Sequence, residues 1–167
     1  SAFNNCSGFD GSLNLGTSVI SINDYAFYNC SGFTGSLVIP NSVINLGNNS
    51  FRDCRGFNGT LTISDSLTTI QSHAFRDCIG FTGDLTIPDG VTTIKNQAFG
   101  NCFGFNGSLN LGTTVTTIDD NAFENCRTLT SVTIPNGVTT IGDYTFSGCY
   151  GFTGSLVIPN SVITIGV

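Results

Sequence analysis

The sequence predicts an α/β solenoid of seven stacked coils, each about 24 residues long and each made of one short parallel β-strand and one short helical or 3-10 segment. Three observations predict it. The cysteines fall at Cys6, Cys30, Cys54, Cys78, Cys102, Cys126 and Cys149, evenly spaced except that the last interval is one position shorter. A phenylalanine stands three positions before each of them, from Phe3 to Phe146. Large aliphatic residues recur two apart at one phase of the period, from Leu13 and Leu15 to Leu156 and Ile158. A fixed period of this length marks a repeat architecture, in which a single coil cannot bury its apolar lanes and a stack can.

Each coil reads roughly C-x-G-F-T-G-S-L-T-I-P-x-x-V-T-T-I-x-x-x-A-F-x-x-C, and its elements run in that order. L-x-I has strand spacing, so its two large residues point inward and the residue between them outward. Stacked, the L-x-I segments form a parallel sheet rising about 4.8 Å per coil and on the order of 34 Å in all. Pro40, Pro88, Pro135 and Pro159, or Gly16 and Gly112, then turn the chain; proline ends the ladder because it lacks an amide donor. V-x-x-I, as in Val91 and Ile94, supplies a further inward pair. The spacing then changes to three: Phe27 and Cys30 share one face of a short helical turn, with Asn23 or Asp24 as its N-cap. Gly32 and its equivalents fall just past that segment, where a left-handed residue is usual. Gly35 and its equivalents turn the chain into the next strand.

The motif L-T-I-P-x-x-V-T-T-I-G-x-x-A-F-x-x-C, clearest over Val132–Cys149, resembles the BspA-like leucine-rich repeat, and the resemblance covers essentially the whole chain. The coil containing Cys126, with C-R-T-L-T-S-V-T-I-P, has the usual shorter form. The others insert one residue through G-F-T-G-S-L, with Phe33, Phe57, Phe81, Phe105 and Phe152 where that coil has Leu129. The resemblance implies a right-handed leucine-rich-repeat solenoid. It also implies a surface-exposed or secreted microbial protein, in a family associated with adhesion to host proteins and cells, with neither catalytic residues nor a cofactor. A plain parallel β-helix is the alternative fold, and the helical reading of F-x-x-C argues against it.

Composition narrows the function classes. Charged residues make up 10% of the chain, against roughly 25% in an average globular domain, so polarity comes from Ser, Thr, Asn and Gly. A formal net charge of −6 disfavours nucleic-acid binding, which needs a basic face to displace counterions. No apolar run approaches the length of a membrane span. No signal sequence is evident, and the chain begins within a repeat. Continuing from Val167 into Ser1 of a second copy restores the pattern and places Cys149 and Cys6 one full period apart. Residues 1–167 therefore read as a single solenoid domain that starts and ends mid-repeat, either a piece of a longer solenoid or a unit that stacks head to tail.

Reactive chemistry has few candidates. The seven cysteines share one inward lane, their side chains parallel, which suits buried reduced thiols better than disulfides or a tetrahedral metal site. His73 stands in a variable lane with Tyr25, Asn49, Gln97, Asn121 and Tyr144 and reads as solvent-facing. Asp77 lies four positions on, without a nucleophile to activate. Asp119 and Asp120 have no second carboxylate cluster to work with, and Gly104 and Gly107 read as repeat turns. Asn-x-Ser/Thr sequons occur at Asn5, Asn29, Asn48, Asn58 and Asn106, as expected of an Asn- and Ser-rich repeat.

The expected function is a cell-surface interaction module that binds a protein or glycan along the solenoid flank. The alternative is a structural spacer or fibre-forming element. A third reading, ice or crystal binding through the pairs Thr92–Thr93, Thr116–Thr117 and Thr139–Thr140, is opposed by a mixed strand row (Val38, Thr62, Thr86, Asn110). The expected site is a stripe on the helical edge: Arg52, Arg55, Arg76, Ile79, Phe103, Arg127 and Tyr150, which holds four of the five basic residues and leaves Lys95 elsewhere. Arg and aromatic residues are the usual interface anchors. The plainer reading is a solvated edge, with Arg52 and Arg76 neutralised by Asp53 and Asp77.

Overall fold

A computed structural model describes residues 1–167 as a parallel β-solenoid of about six turns. Five of the seven expected L-x-I strands are present; Leu13–Leu15 and Leu156–Ile158, in the end coils, are not strands. Leu37–Val38, Leu61–Thr62, Leu85–Thr86, Ser108–Asn110 and Ser131–Thr133 lie one above another, with Leu37 opposite Leu61 and Leu109 opposite both Leu85 and Val132. Leu37 and Ile39 are buried while Val38 between them is exposed, the alternation a half-buried strand requires.

A second ladder, not anticipated from the sequence, runs through V-x-x-I. Ser21–Ile22 pairs with Asn45–Leu46, and Thr69–Ile70, Thr93–Ile94, Thr117–Ile118, Thr140–Ile141 and Thr164–Ile165 form a five-stranded parallel sheet, the largest in the protein. Its signature is hidden because only the second residue of each inward pair, isoleucine or Leu46, belongs to the strand. The valine closes the preceding turn, as where the Val91 amide donates to the Pro88 carbonyl at 3.1 Å.

The helical or 3-10 segment is absent, and the α half of the predicted class with it. In its place, alternate amides bond locally and between coils. The Ala26, Tyr28 and Cys30 amides donate three positions back, to Asn23, Tyr25 and Phe27 (3.1, 3.3 and 3.2 Å). The Tyr25, Phe27 and Asn29 amides donate to the next coil's Asn48, Ser50 and Arg52 (3.0, 2.8 and 2.8 Å). Tyr25 and Asn29 have φ of 56° and 54°, and a left-handed residue every fourth position prevents a helix from propagating. A one-turn helix would leave most of its end groups unpaired, whereas stacked turns use them on the neighbouring coil. Phe and Cys still face inward, so the spacing of three is satisfied without a helix, and the helical argument against a β-helix falls away.

Two smaller expectations change with it. The residue just before each cysteine, Asn5, Asn29, Asp53, Asp77, Asn101, Asn125 or Gly148, is left-handed, and Gly32 and its equivalents are not. Gly35, Gly83 and Gly154 do turn with positive φ. Asp24 caps no helix; its Oδ1 accepts the Asn48 amide of the next coil at 2.7 Å. Asp84, Asp120 and Asp143 accept the amides of Ser108, Asp143 and Val167 in the same way (2.7, 2.8 and 3.0 Å). Much of the negative charge is therefore spent on holding coils together. Asp89 accepts both the Thr113 amide and its hydroxyl (2.6 and 2.9 Å), and these bonds, the backbone one first, hold its carboxyl below the ordinary range. Because the folded-state value is the lower one, this contribution is present above the ordinary carboxylate range and is lost as pH falls through the depressed value. The thermal midpoint should fall less on acidification in Asp89→Asn than in the parent; equal slopes would show that the carboxylate contributes nothing.

The core is one continuous column. Phe27, Phe51, Phe75, Phe99 and Phe123 stack face to face with centroids 5.1–5.7 Å apart and planes within 10°. Phe33, Phe57, Phe81 and Phe105 form a second stack at 5.2–5.9 Å, with Leu129 continuing it in the shorter coil, fully buried. Beside these columns run the cysteines, all seven free thiols. The Cys54, Cys78 and Cys102 thiols donate to the carbonyls of Phe27, Phe51 and Phe75 in the preceding coil (2.9, 3.0 and 3.1 Å). Burial pushes these thiols and that of Cys126 far above the ordinary range, and Cys149 up to about 11. Since the thiolate is the reactive form, Cys54, Cys78, Cys102 and Cys126 should resist alkylation in the folded protein. All seven should react after denaturation without reductant. Ready labelling of Cys78 in the native state, read by mass mapping, contradicts this packing.

Candidate functional site

The predicted stripe lies along the edge where the stacked turns face solvent, and the structure divides it in two. In the first part, three arginines surround two carboxylates. Arg55 donates from Nε and Nη2 to one oxygen of Asp53 (3.1 and 2.7 Å). Arg52 Nε lies 3.4 Å from the other oxygen, and Arg76 Nε lies 3.3 Å from Asp77. Arg55 is held above its usual range, first by its hydrogen bond to Asp53 and then by that carboxylate's charge. The Arg52 guanidinium also sits 5.8 Å over the Tyr28 ring and donates to Asn49 at 3.3 Å, while Arg76 donates to Gln97.

The reason for this arrangement lies in the left-handed lane. Four other coils carry asparagine there and the last carries Gly148, and the asparagine amides bond from coil to coil: Asn29 to Asn5 at 2.9 Å, Asn125 to Asn101 at 3.1 Å and Asn101 to Asp77 at 2.9 Å. Asp53 and Asp77 interrupt the run in adjacent coils with two mostly covered carboxylates, their side chains 13% and 19% exposed. Like charges stacked one coil apart are unfavourable, and the guanidiniums offset them. The plainer reading of Arg52 and Arg76 is thus what the geometry provides, with Arg55 added.

In the second part Arg127 forms no ion pair, and Glu124 accepts from Gln97 instead, at 3.4 Å. The Arg127 guanidinium lies 4.8 Å over the Phe103 ring, a cation–π contact. In the next coil Tyr150 is 81% exposed. Ile79, half-buried, precedes Phe103 in the same lane. The first two coils carry Ser7 and Ser31 at this position, so packing does not demand bulk there.

The remaining sequence candidates have structural employment. His73 is half-buried, not solvent-facing, although Tyr25 and Tyr144 in the same lane are exposed. Its pKa is lowered first by burial and then by the Arg76 and Arg52 charges, with a Gln97 hydrogen bond opposing. Asp119 pairs with Lys95 at 3.4 Å, and Asp120 holds the amide of Asp143. The Thr92, Thr116 and Thr139 hydroxyls donate to the preceding coil's carbonyls at 3.1–3.2 Å. Gly104 and Gly107 lie against the preceding coil at distances no side chain would tolerate.

Against known proteins, the family model described as BspA type Leucine rich repeat region matches in six copies, over residues 1–106 and 79–167. The fold is similar to that of the T. pallidum Leucine Rich Repeat protein, with a TM-score of 0.77 and 30% identity over 89% of this chain and 67% of that one. It is also similar to a leucine rich cell surface protein from Faecalibacterium prausnitzii A2-165, with a TM-score of 0.57 and 24% identity over 88% of this chain and 33% of that one. A search of curated proteins finds no match.

Proposed function

This chain belongs to the BspA-type leucine-rich repeat family, and on that premise we propose that it is a non-catalytic interaction module of an extracellular or cell-surface protein, binding a protein or glycan partner along its turn edge. One observation supports this above the rest: Phe103, half-buried, and Arg127 and Tyr150, both exposed, occupy one lane in three consecutive coils, where packing accepts serine. Aromatic and arginine side chains supply most of the energy at interfaces. Ile79 extends the patch. Arg52, Arg55 and Arg76 continue the stripe but reach a partner only by releasing Asp53 and Asp77, so they belong to its margin. The name of the Faecalibacterium protein, a cell surface protein, accords with the location.

The test is binding to immobilised host-matrix proteins and to a glycan array, comparing the parent with the triple variant Phe103→Ser, Arg127→Ser, Tyr150→Ser. Retained ligands should bind the variant at least about tenfold more weakly, given ~1–2 kcal/mol per truncated anchor. The thermal midpoint should stay near the parent's. Arg55→Ser should bind as the parent does. If the triple variant binds at parental affinity, the patch is not the site.

A further inference from the structure

Asn-Gly occurs three times, at Asn58–Gly59, Asn106–Gly107 and Asn136–Gly137. In this dipeptide the glycine amide nitrogen, unhindered by a Cβ, can attack the asparagine side-chain carbonyl. The stacked coils treat the three copies differently. The Gly59 amide donates to the Gly35 carbonyl at 3.0 Å, and the Asn58 Oδ1 accepts the Gly35 amide at 2.8 Å. Gly107 and Asn106 make the same pair of bonds to Gly83, at 3.0 and 2.9 Å. Both reacting groups are thus held by the preceding coil. At Asn136–Gly137 neither group is held: the Gly137 amide and the Asn136 side chain have no hydrogen-bond partner in the protein, and Asn136 is exposed. In three other coils this corner is tied down by a hydroxyl at the glycine position, with Ser42, Ser66 and Thr114 donating to the preceding coil's carbonyls at 2.7, 2.8 and 2.9 Å. Gly137 has no such group.

We propose that Asn136 is a site of spontaneous covalent modification, deamidating through a succinimide while Asn58 and Asn106 are protected by the fold. The Gly137 amide gives its proton to solvent hydroxide, its nitrogen bonds to Asn136 Cγ, and the Cγ–Nδ2 bond breaks with release of ammonia. Water then opens the imide at either carbonyl, leaving aspartate or isoaspartate and taking the formal net charge from −6 to −7. The aspartate product suits the position. Asp65 and Asp89 stand in the same lane, and the Asp89 carboxylate accepts the next coil's Thr113 amide. The isoaspartate product lengthens the backbone inside the turn that the Val138 amide closes onto Pro135 at 3.1 Å.

The experiment is to age the folded chain in mildly alkaline buffer beside a denatured sample and to follow each Asn-Gly peptide by mass mapping and isoaspartate assay. In the folded chain Asn136 should convert at least about tenfold faster than Asn58 or Asn106, each of which must first release two hydrogen bonds. The three should converge in the denatured sample. The acidic species should be missing from Asn136→Gln. The proposal is overturned if folded Asn58 or Asn106 converts as fast as Asn136. It is equally overturned if folded Asn136 stays intact over the time in which denatured Asn136 is consumed.

Discussion

Phe75→Ala should lower the unfolding free energy by about 3–5 kcal/mol, the range for emptying a fully buried phenylalanine site. Phe75 has no exposed surface. Its ring is stacked on both sides, 5.7 Å from Phe51 and 5.2 Å from Phe99, with planes within 10°. Truncation removes both aromatic contacts, each worth about 0.5–1.5 kcal/mol beyond burial, and the regular spacing of the coils prevents the site from collapsing around the gap. Because each coil contacts only its neighbours, a hole at mid-stack also weakens the coupling between the two halves. Phe146→Ala is the control: that ring is half-buried and has one face-stacked neighbour, Phe123 at 5.7 Å, so its loss should cost clearly less. Denaturant titration of both variants decides the matter. Equal costs, or a Phe75 cost below about 1 kcal/mol, would mean that the column does not hold the coils together.

Gly104→Ala should cost about 3 kcal/mol, the upper end for overpacking, and for a reason unrelated to glycine's conformational freedom. A Cβ at Gly104 would lie 2.4 Å from the Phe81 carbonyl oxygen and 2.6 Å from that of Ile79. Both are backbone atoms of the preceding coil, so relief requires the coils to separate. Gly32, Gly56 and Gly80 face the preceding coil in the same way. Thr128 fills this lane only in the coil shortened by one residue, where its hydroxyl donates to the Phe103 and Phe105 carbonyls, an option closed to a methyl group. Gly83 provides the contrast. Its φ is 80° and the nearest atom to an added Cβ is a Thr60 methyl at 3.7 Å, so the constraint there is backbone conformation. Asparagine, which tolerates the left-handed region, should be accepted at Gly83 and rejected at Gly104. A Gly104→Asn variant as stable as Gly83→Asn would refute the steric account.

The candidate site is partly legible in the sequence. Five of the stripe residues, Arg55, Ile79, Phe103, Arg127 and Tyr150, stand out because their lane departs from the serine of the first two coils without need, and that is visible in an aligned repeat. The division of the stripe is harder to see. F-R-D-C-R and F-R-D-C place arginine beside aspartate in two adjacent coils, but sequence adjacency does not say whether the charges meet. Asp53 and Asp77 matter because they replace asparagine in a lane whose side chains bond from coil to coil, and that ladder exists only once the coils are stacked. His73 is misplaced by sequence for a related reason: variability suggests exposure, whereas the imidazole is half-buried and bonds to Gln97 of the next coil.

The period, the inward lanes, the first strand ladder and the cysteine column were determined by the sequence itself, because burial of apolar side chains at regular spacing has one repetitive solution and each coil restates it. The segment after the second inward pair was decided by tertiary structure. Locally, A-F-x-x-C is as compatible with a helical turn as with linked turns, and V-T-T-I does not declare a strand. The choice is made by the backbone groups, which find partners about one strand spacing away on the next coil. Hydrogen bonds from one coil to its neighbour, as from Phe27 to Ser50 or Gly59 to Gly35, have no signature within a single repeat. They set which glycines are indispensable, which carboxylates are structural, and which arginines are held in ion pairs.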